Sequence, residues 1–279
     1  MPWRLLRSSV EAALGDRHLA LTFHRVKPPS DGDGAPGMAI REQDLDGLVD
    51  ALLATRRGSG ERWLSVTFDD GYEDAAAWVD SRASRFAEVE FILFVCPEKA
   101  EVGAGFRWDL TEVAMRGGAD RRQAERLQSA PRDVDAENAR EDLRRLGADP
   151  GFRLASVERL RALAARPNVS LGNHTNCHFE MVELEPALAQ RELDRSHAAF
   201  QRLFGPQRHF AFPFGHRFFD ERHLAMVRAQ GDFLVWGTRQ RPFAAADRAG
   251  GALLSRFVVD GRWGVRGALG AIAGRSALA

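Results

Sequence analysis

The residues best suited to chemistry fall in three short runs: Phe68-Asp69-Asp70-Gly71, His174-Thr175-Asn176-Cys177-His178 and Phe210-Ala211-Phe212-Pro213-Phe214-Gly215. Adjacent acids at the start of a loop point in different directions, so one can hold a cation while the other stays free as a base. Gly71 lets the backbone turn sharply behind them. Asp-Asp-Gly also serves as an ordinary turn and helix N-cap, and alone it says little. Two histidines four apart can converge on one ion, whether their segment is a helical turn or a tight loop. With Asp70, His174 and His178 form a set of two imidazoles and one carboxylate. Such a set leaves positions open for water and substrate, as catalytic metal sites do. Neutral imidazole suits Zn²⁺ and its transition-series neighbours Co²⁺ and Ni²⁺. The third run has no titratable side chain. It offers backbone N–H groups and an apolar wall, as does any core strand ending in a turn.

Each run follows a segment that reads as a β-strand. Strands are expected at Leu19–Phe23, Trp63–Phe68, Phe91–Val95, Val169–Gly172, His209–Phe212, Phe233–Trp236 and Leu253–Phe257. Between them, helices are expected at about 41–54, 75–86 and 220–230. Ser156 reads as the N-cap of a helix that Pro167 ends, and Pro186 opens a long one that closes at Gly205. This alternation implies an α/β fold with a parallel sheet and helices outside, and the strand count suits a barrel. In such folds the strand C-termini open on one face, where reactive groups collect. Residues 106–152 break the rhythm. They are rich in Arg, Asp, Glu and Ala, with Leu143 and Leu146 as anchors, and read as a helical insertion over the barrel rim. Trp3, Leu6, Val10 and Leu14 share one face of a short helix docked on the protein.

The chain has 279 residues, 44% of them apolar, so global disorder is excluded. Its 39 basic residues balance 39 acidic ones, which argues against a nucleic-acid binder. All the basic residues but Lys27 and Lys99 are arginines, spread along the chain and interleaved with acids. That reads as composition rather than anion recognition. Cys96 and Cys177 are too few for a disulfide framework or a four-thiolate site, and read as buried thiols rather than one bridge. No run of about 18 apolar residues exists, so no transmembrane segment is expected. The first residues lack a signal-peptide pattern, and the chain reads as cytoplasmic. Oligomeric state is not legible.

Thr67-Phe68-Asp69-Asp70-Gly71-Tyr72, His174-Thr175-x-x-His178 and Phe212-Pro213-Phe214-Gly215, in this order, resemble the polysaccharide deacetylase (NodB-homology) group, carbohydrate esterase family four. The similarity runs from about Leu19 to Phe257, so one barrel domain spanning 1–279 is expected, with its core at 19–257. The resemblance implies a distorted, TIM-like (β/α) barrel of seven strands and a metal-dependent hydrolase that removes acetyl groups from sugars. It implies that Asp70, His174 and His178 hold the metal. Asp69 would be the base that deprotonates a water on that ion, and the Phe214 backbone N–H would help stabilise the oxyanion. An N-acetylated carbohydrate would be the substrate.

Two positions depart from the family pattern. Many members carry an Arg two residues before the third-motif proline, where this chain has Ala211. Many end with Leu-x-His, whose His protonates the leaving amine; Leu254-Ser255-Arg256 puts an arginine there, which cannot act as a general acid. His24, at the end of the first strand, is the expected substitute, because imidazole titrates in the useful range. An early His-Arg pair and this style of third motif are similar to the poly-N-acetylglucosamine deacetylase branch. Trp108, beside Asp109, and Trp236 are candidate walls for the sugar. His197 reads as a core or boundary residue, and His216 as a loop residue within possible reach of substrate. His18, His209 and His223 carry no signal. Two other readings stand beside this one: a deformylase or cyclic amidase of the same fold, and a non-catalytic carbohydrate-binding or assembly protein. Ala211 and Arg256 favour the last.

Overall fold

The computed structural model describes residues 3–28, 37–55, 62–103, 105–106, 108–109 and 153–276. Its strands are β1 (Leu19–Phe23), β2 (Arg25–Val26), β3 (Ala39–Ile40), β4 (Leu64–Phe68) and β5 (Glu90–Val95). They continue with β6 (Val169–Asn173), β7 (His209–Ala211), β8 (Leu234–Gly237), β9 (Leu254–Ser255) and β10 (Phe257–Val258). The helices are α1 (Trp3–Leu14), α2 (Glu42–Leu53), α3 (Glu73–Arg82), α4 (Pro97–Val102) and α5 (Val157–Ala164). After these come α6 (Pro186–Phe204), α7 (Glu221–Gln230), α8 (Ala245–Ala249) and α9 (Gly264–Ser276).

Eight strands form one parallel sheet in the order β10-β1-β4-β5-β6-β7-β8-β9. Its two edges belong to a single run of chain, because only Arg256 separates β9 from β10. The first half of that run pairs with β8, Leu254 opposite Trp236, and the second with β1, Phe257 opposite Leu21. The run therefore brings the edges together into a distorted barrel. Counted as one stave, it makes seven.

Every residue of β1 and of β4 is buried, as expected of parallel strands covered on both faces. Alternate side chains divide between two cores. Ala20, Ile92, Phe94, Ala211, Trp236 and Leu254 pack together in one cluster. Leu19, Leu21, Phe23, Leu64, Val66 and Phe68 join the buried faces of the surrounding helices. The helix signals work locally: Ser156 Oγ accepts the Arg159 N–H, and Pro186 sits in the first turn of α6. Leu6, Val10 and Leu14 of α1 are buried, and α1 packs on α9.

Several boundaries differ from the sequence reading. The helix expected at 75–86 spans Glu73–Arg82, and α5 stops at Ala164, short of Pro167. The last strand is split because the Arg256 backbone bonds across to Gly237 and Gln240 before the chain crosses to β1. Helix α9 gave no signal in the sequence, since Gly264, Gly267, Gly270 and Gly274 dilute its apolar pattern. Of the insertion expected at 106–152, only Phe106, Trp108 and Asp109 fall among the described residues; Leu143, Leu146 and the rest lie outside them. Among the described residues, no helix is long and apolar enough to cross a membrane.

Candidate active site

The β4 register carries Ser65, Thr67 and Asp69 on one face of the strand. Asp69 is pinned by its backbone N–H, which donates to Phe23 O at 2.9 Å. Alternation then breaks at Asp70, whose φ of 75° is left-handed, so the second carboxylate also turns towards the site. Gly71 follows at φ 74°, where an added Cβ would lie 3.0 Å from Val95 Cγ1.

At the end of β6 the His174 N–H bonds Val95 O at 2.9 Å, and the ring Nδ1 lies 2.8 Å from Ala211 O. A carbonyl can only accept, so Nδ1 carries the proton and the Nε2 lone pair is left free. That Nε2 lies 3.7 Å from Asp70 Oδ1, and His178 Nε2 lies 3.2 Å from the same oxygen. One donor atom from each of Asp70, His174 and His178 falls within 4.8 Å of the others. Both Asp70 oxygens are buried without a hydrogen-bond partner, an arrangement that is costly unless something positive sits there. Burial raises the Asp70 carboxyl, lowers His174 and, with Lys99, takes His178 down to about 3. The imidazoles are therefore held neutral, as metal ligands must be. This donor set fits a divalent transition cation.

The backbone is strained at the same place. Asp70, Thr175, His178 and Phe214 all have φ between 60° and 75°. Among the described non-glycine residues only Gln240 shares that region. Each such residue costs on the order of 1–3 kcal/mol and persists where its surroundings over-determine it.

Asp69 is not the free carboxylate expected from the sequence. Arg256, carried in by the closing stave, is itself buried and donates to Asp69 Oδ1 from Nη1 at 2.6 Å and to Oδ2 from Nη2 at 3.2 Å. Nη1 also reaches Thr67 Oγ1 at 3.1 Å, and the guanidinium lies 4.8 Å over the Phe94 ring. Burial pushes the Asp69 carboxyl up, but Arg256 together with His174 and His24 outweighs it and holds the group at about 2. Ala211 offers no guanidinium, and the one that Asp69 binds arrives instead on the closing stave beyond β8, a contact that no spacing in the sequence announces.

A cavity of about 310 Å³ opens over this centre. Its lining combines the polar His24, Asp69, Asp70, His174 and His178 with the apolar Trp108, Phe214, Met38 and Val258. His24 is half-buried there; burial lowers its pKa while Asp70 and Asp69 pull the other way. Phe214 stands 46% exposed at the mouth. Gly215 behind it is irreplaceable: its φ is 83°, and a Cβ would lie 2.1 Å from Thr238 Oγ1.

Trp108 is one of these walls. Its indole N–H donates to Tyr72 OH at 2.7 Å, and Tyr72 OH bonds the buried Asp109 carboxyl at 2.9 Å. Phe106 N–H also bonds Asp109, and the Phe106 ring stacks on Trp108 at 4.8 Å. The chain thus builds the wall from a Tyr-Asp-Trp relay that sequence reasoning did not connect.

Trp236, the other wall expected from the sequence, is not in the site. It is fully buried among the inward-facing apolar residues and donates to His209 Nδ1 at 3.2 Å. His197 is half-buried against Phe233 and Gln207, and His216 hydrogen-bonds Thr238 at the rim. His223 serves in the N-terminal cap of α7 with Asp220, and His18 stacks on Phe243.

A family model described as polysaccharide deacetylase matches residues 56–231, more than half of the chain. No curated protein matches the chain by sequence. Among solved structures, IcaB from Ammonifex degensii superposes with a TM-score of 0.53 at 20% identity, over 94% of this chain and 98% of that one. The Streptococcus pyogenes deacetylase PplD, solved in complex with acetate, gives 0.57 at 14% identity, over 92% and 98%. BC0361, a polysaccharide deacetylase from Bacillus cereus, gives 0.59 at 13%, over 92% and 69%. At these identities the likeness speaks for the fold.

Proposed function

This chain belongs to the polysaccharide deacetylase family, and on that premise we propose that it hydrolyses the N-acetyl group of an acetamido sugar or polysaccharide at the Asp70–His174–His178 centre. One observation carries the reading: three convergent donor atoms, one of them on a buried carboxylate without a partner, beside a second carboxylate held by arginine. Asp70, His174 and His178 would hold a divalent ion, most simply Zn²⁺, with Co²⁺ or Ni²⁺ as alternatives. When bound, that ion supplies Lewis acidity and lowers the pKa of a coordinated water.

The remaining work falls to the chain's own residues. Asp69, fixed by the Arg256 fork, takes the proton of the attacking water at its carboxylate. The backbone N–H of Phe214 donates a hydrogen bond to the acyl oxygen as negative charge develops there. His24 lines the cavity with both acids, which favour its charged form, and as the imidazolium gives a proton to the departing nitrogen, becoming neutral imidazole. Trp108 and Phe214 offer aromatic surface to the apolar face of a pyranose ring and keep water from the scissile amide. A cavity near 310 Å³ lies at the lower end of ligand-site volumes, enough for one sugar residue with its acetamido arm. The pairing of Arg256 with Asp69 also weakens the non-catalytic reading, which drew on Arg256 as a defect.

The test is acetate release from short N-acetylglucosamine oligomers, with formylated oligomers run in parallel. The proposal expects metal-dependent acetate release that Asp69→Asn abolishes. No acyl release from any such sugar by metal-loaded protein overturns it.

A further inference from the structure

Outside the residues already given roles, one buried acid is aimed at the segment that carries both histidines. Glu192, on α6, is 7% exposed. Its Oε1 accepts two consecutive backbone N–H groups, Asn176 at 2.7 Å and Cys177 at 2.6 Å. The Cys177 side chain hydrogen-bonds the same residue. These N–H groups lie midway between His174 and His178, in a stretch whose Thr175 and His178 are both left-handed. Consecutive N–H groups in such a turn form a small concavity that suits an anion, and here a side chain fills it from outside the loop.

One helical turn further along the same face, Ser196 Oγ donates to Asn173 Oδ1 at 2.6 Å. Asn173 immediately precedes His174. Helix α6 therefore grips the ligand segment at two points, once before the first histidine and once before the second. Helix α4 adds a third hold, where the Glu98 N–H donates to Asn176 Oδ1 at 3.0 Å.

We propose that Glu192 is a positioning residue of the metal centre: its carboxylate fixes the turn that makes His174 and His178 converge on one ion. Without that acceptor, the buried Asn176 N–H and the half-buried Cys177 N–H lose their partner, and the strained turn loses the contact that holds its φ values. The turn then relaxes, and the His178 imidazole moves with it. Glu192 touches neither substrate nor ion, so the consequence is read in metal affinity before it is read in turnover.

The inference rests on the metal-site reading above, and the experiment keeps the two apart. Zn²⁺ and Co²⁺ affinities are measured by competition with a chromophoric chelator for the wild type, Glu192→Ala, Glu192→Asp and Glu192→Gln. The Co²⁺ absorption bands and the melting temperature of the metal-free proteins are recorded alongside. Removing such supporting bonds typically weakens metal binding by about 10–100-fold, and that loss is expected for Ala. Asp keeps the charge but withdraws the acceptor by one methylene, so it loses affinity too. Gln keeps an acceptor of the same reach and recovers most of the affinity, along with the wild-type Co²⁺ bands. If the Ala variant fails to fold, the Asp variant decides. A folded Asp or Ala variant that binds the ion as tightly as wild type overturns the role of Glu192, even if its melting temperature has dropped. Gln losing as much as Ala overturns it as well. Wild-type protein that takes up neither ion defeats the metal-site reading itself.

Discussion

The Arg256 guanidinium grips both oxygens of the Asp69 carboxylate, at 2.6 Å and 3.2 Å, with both side chains buried. Two parallel bonds from a rigid fork fix the direction of a carboxylate as well as its charge. The pair joins the closing stave of the barrel to the end of β4, so the direction of the Asp69 carboxylate is set by a residue from a distant part of the chain. A lysine at position 256 keeps the charge and loses the fork. Arg256→Lys should therefore lower kcat tenfold or more while metal content is unchanged, whereas Arg256→Met should cost about 3–5 kcal/mol of stability by leaving Asp69 buried and unpaired. Steady-state kinetics and chemical denaturation read the two effects separately. A Met variant as stable and active as wild type would show that the pair is idle.

Loss of the base should leave the ion in place. Asp69→Asn should reduce turnover by at least a thousandfold while metal stoichiometry stays at the wild-type value, since Asp69 is outside the three-donor set. Elemental analysis of the purified variant, alongside acetate release, checks this. Loss of the ion from the Asn variant would reassign Asp69 to the ligand set.

In the proposed mechanism His24 supplies the opposite half of the proton transfer. His24→Asn should lower kcat by about 10²–10⁴-fold, the usual contribution of a positioned acid or base, and leave metal content intact. Unchanged turnover would end the assignment. Comparing N-acetyl with O-acetyl substrates sharpens the test, because a better leaving group needs less protonation and should lose less.

Asp109 gives a pH dependence with a definite sign. Burial raises its carboxyl to about 7, above the ordinary carboxylate value, so the folded chain binds its proton more tightly than the unfolded chain does. Its contribution to stability is fully present below the unfolded pKa near 4 and is lost as pH rises through about 7. At roughly 1.4 kcal/mol per unit, the change across that window is a few kcal/mol. The stability difference between wild type and Asp109→Asn, followed by denaturation from pH 4 to pH 8, should shift against wild type as pH rises. A difference that stays flat over the window would mean that Asp109 is not buried as its bonds to Tyr72 and Phe106 indicate.

Much of the site was legible because its motifs sit where strands end. Asp69, Asp70, His174, His178 and Phe214 each follow an apolar β run, and parallel strands bring their C-terminal ends to one rim. What the sequence could not carry was contact between distant runs. Position 256 reads as a missing acid rather than as a guanidinium for Asp69, because the two lie far apart in the chain and meet only when the barrel closes. Trp108 and Trp236 look alike in sequence, yet their N–H partners, Tyr72 and His209, put one at the cavity and the other in the core. Helix α9 escaped notice because its glycines dilute the apolar pattern, although Leu269 and Ile272 are fully buried. Glu192 gave no signal at all: a lone acid in a polar helix is ordinary until its loop partner is known.

The proposed chemistry stands on Asp70, His174 and His178 sharing one divalent ion. Crystals grown with Zn²⁺ or Co²⁺, with diffraction recorded on either side of the metal's absorption edge, test it directly. One strong anomalous peak is expected within coordination distance of an Asp70 oxygen and the Nε2 atoms of both histidines. A fully loaded crystal whose anomalous density lies elsewhere, with those three side chains apart, would contradict it.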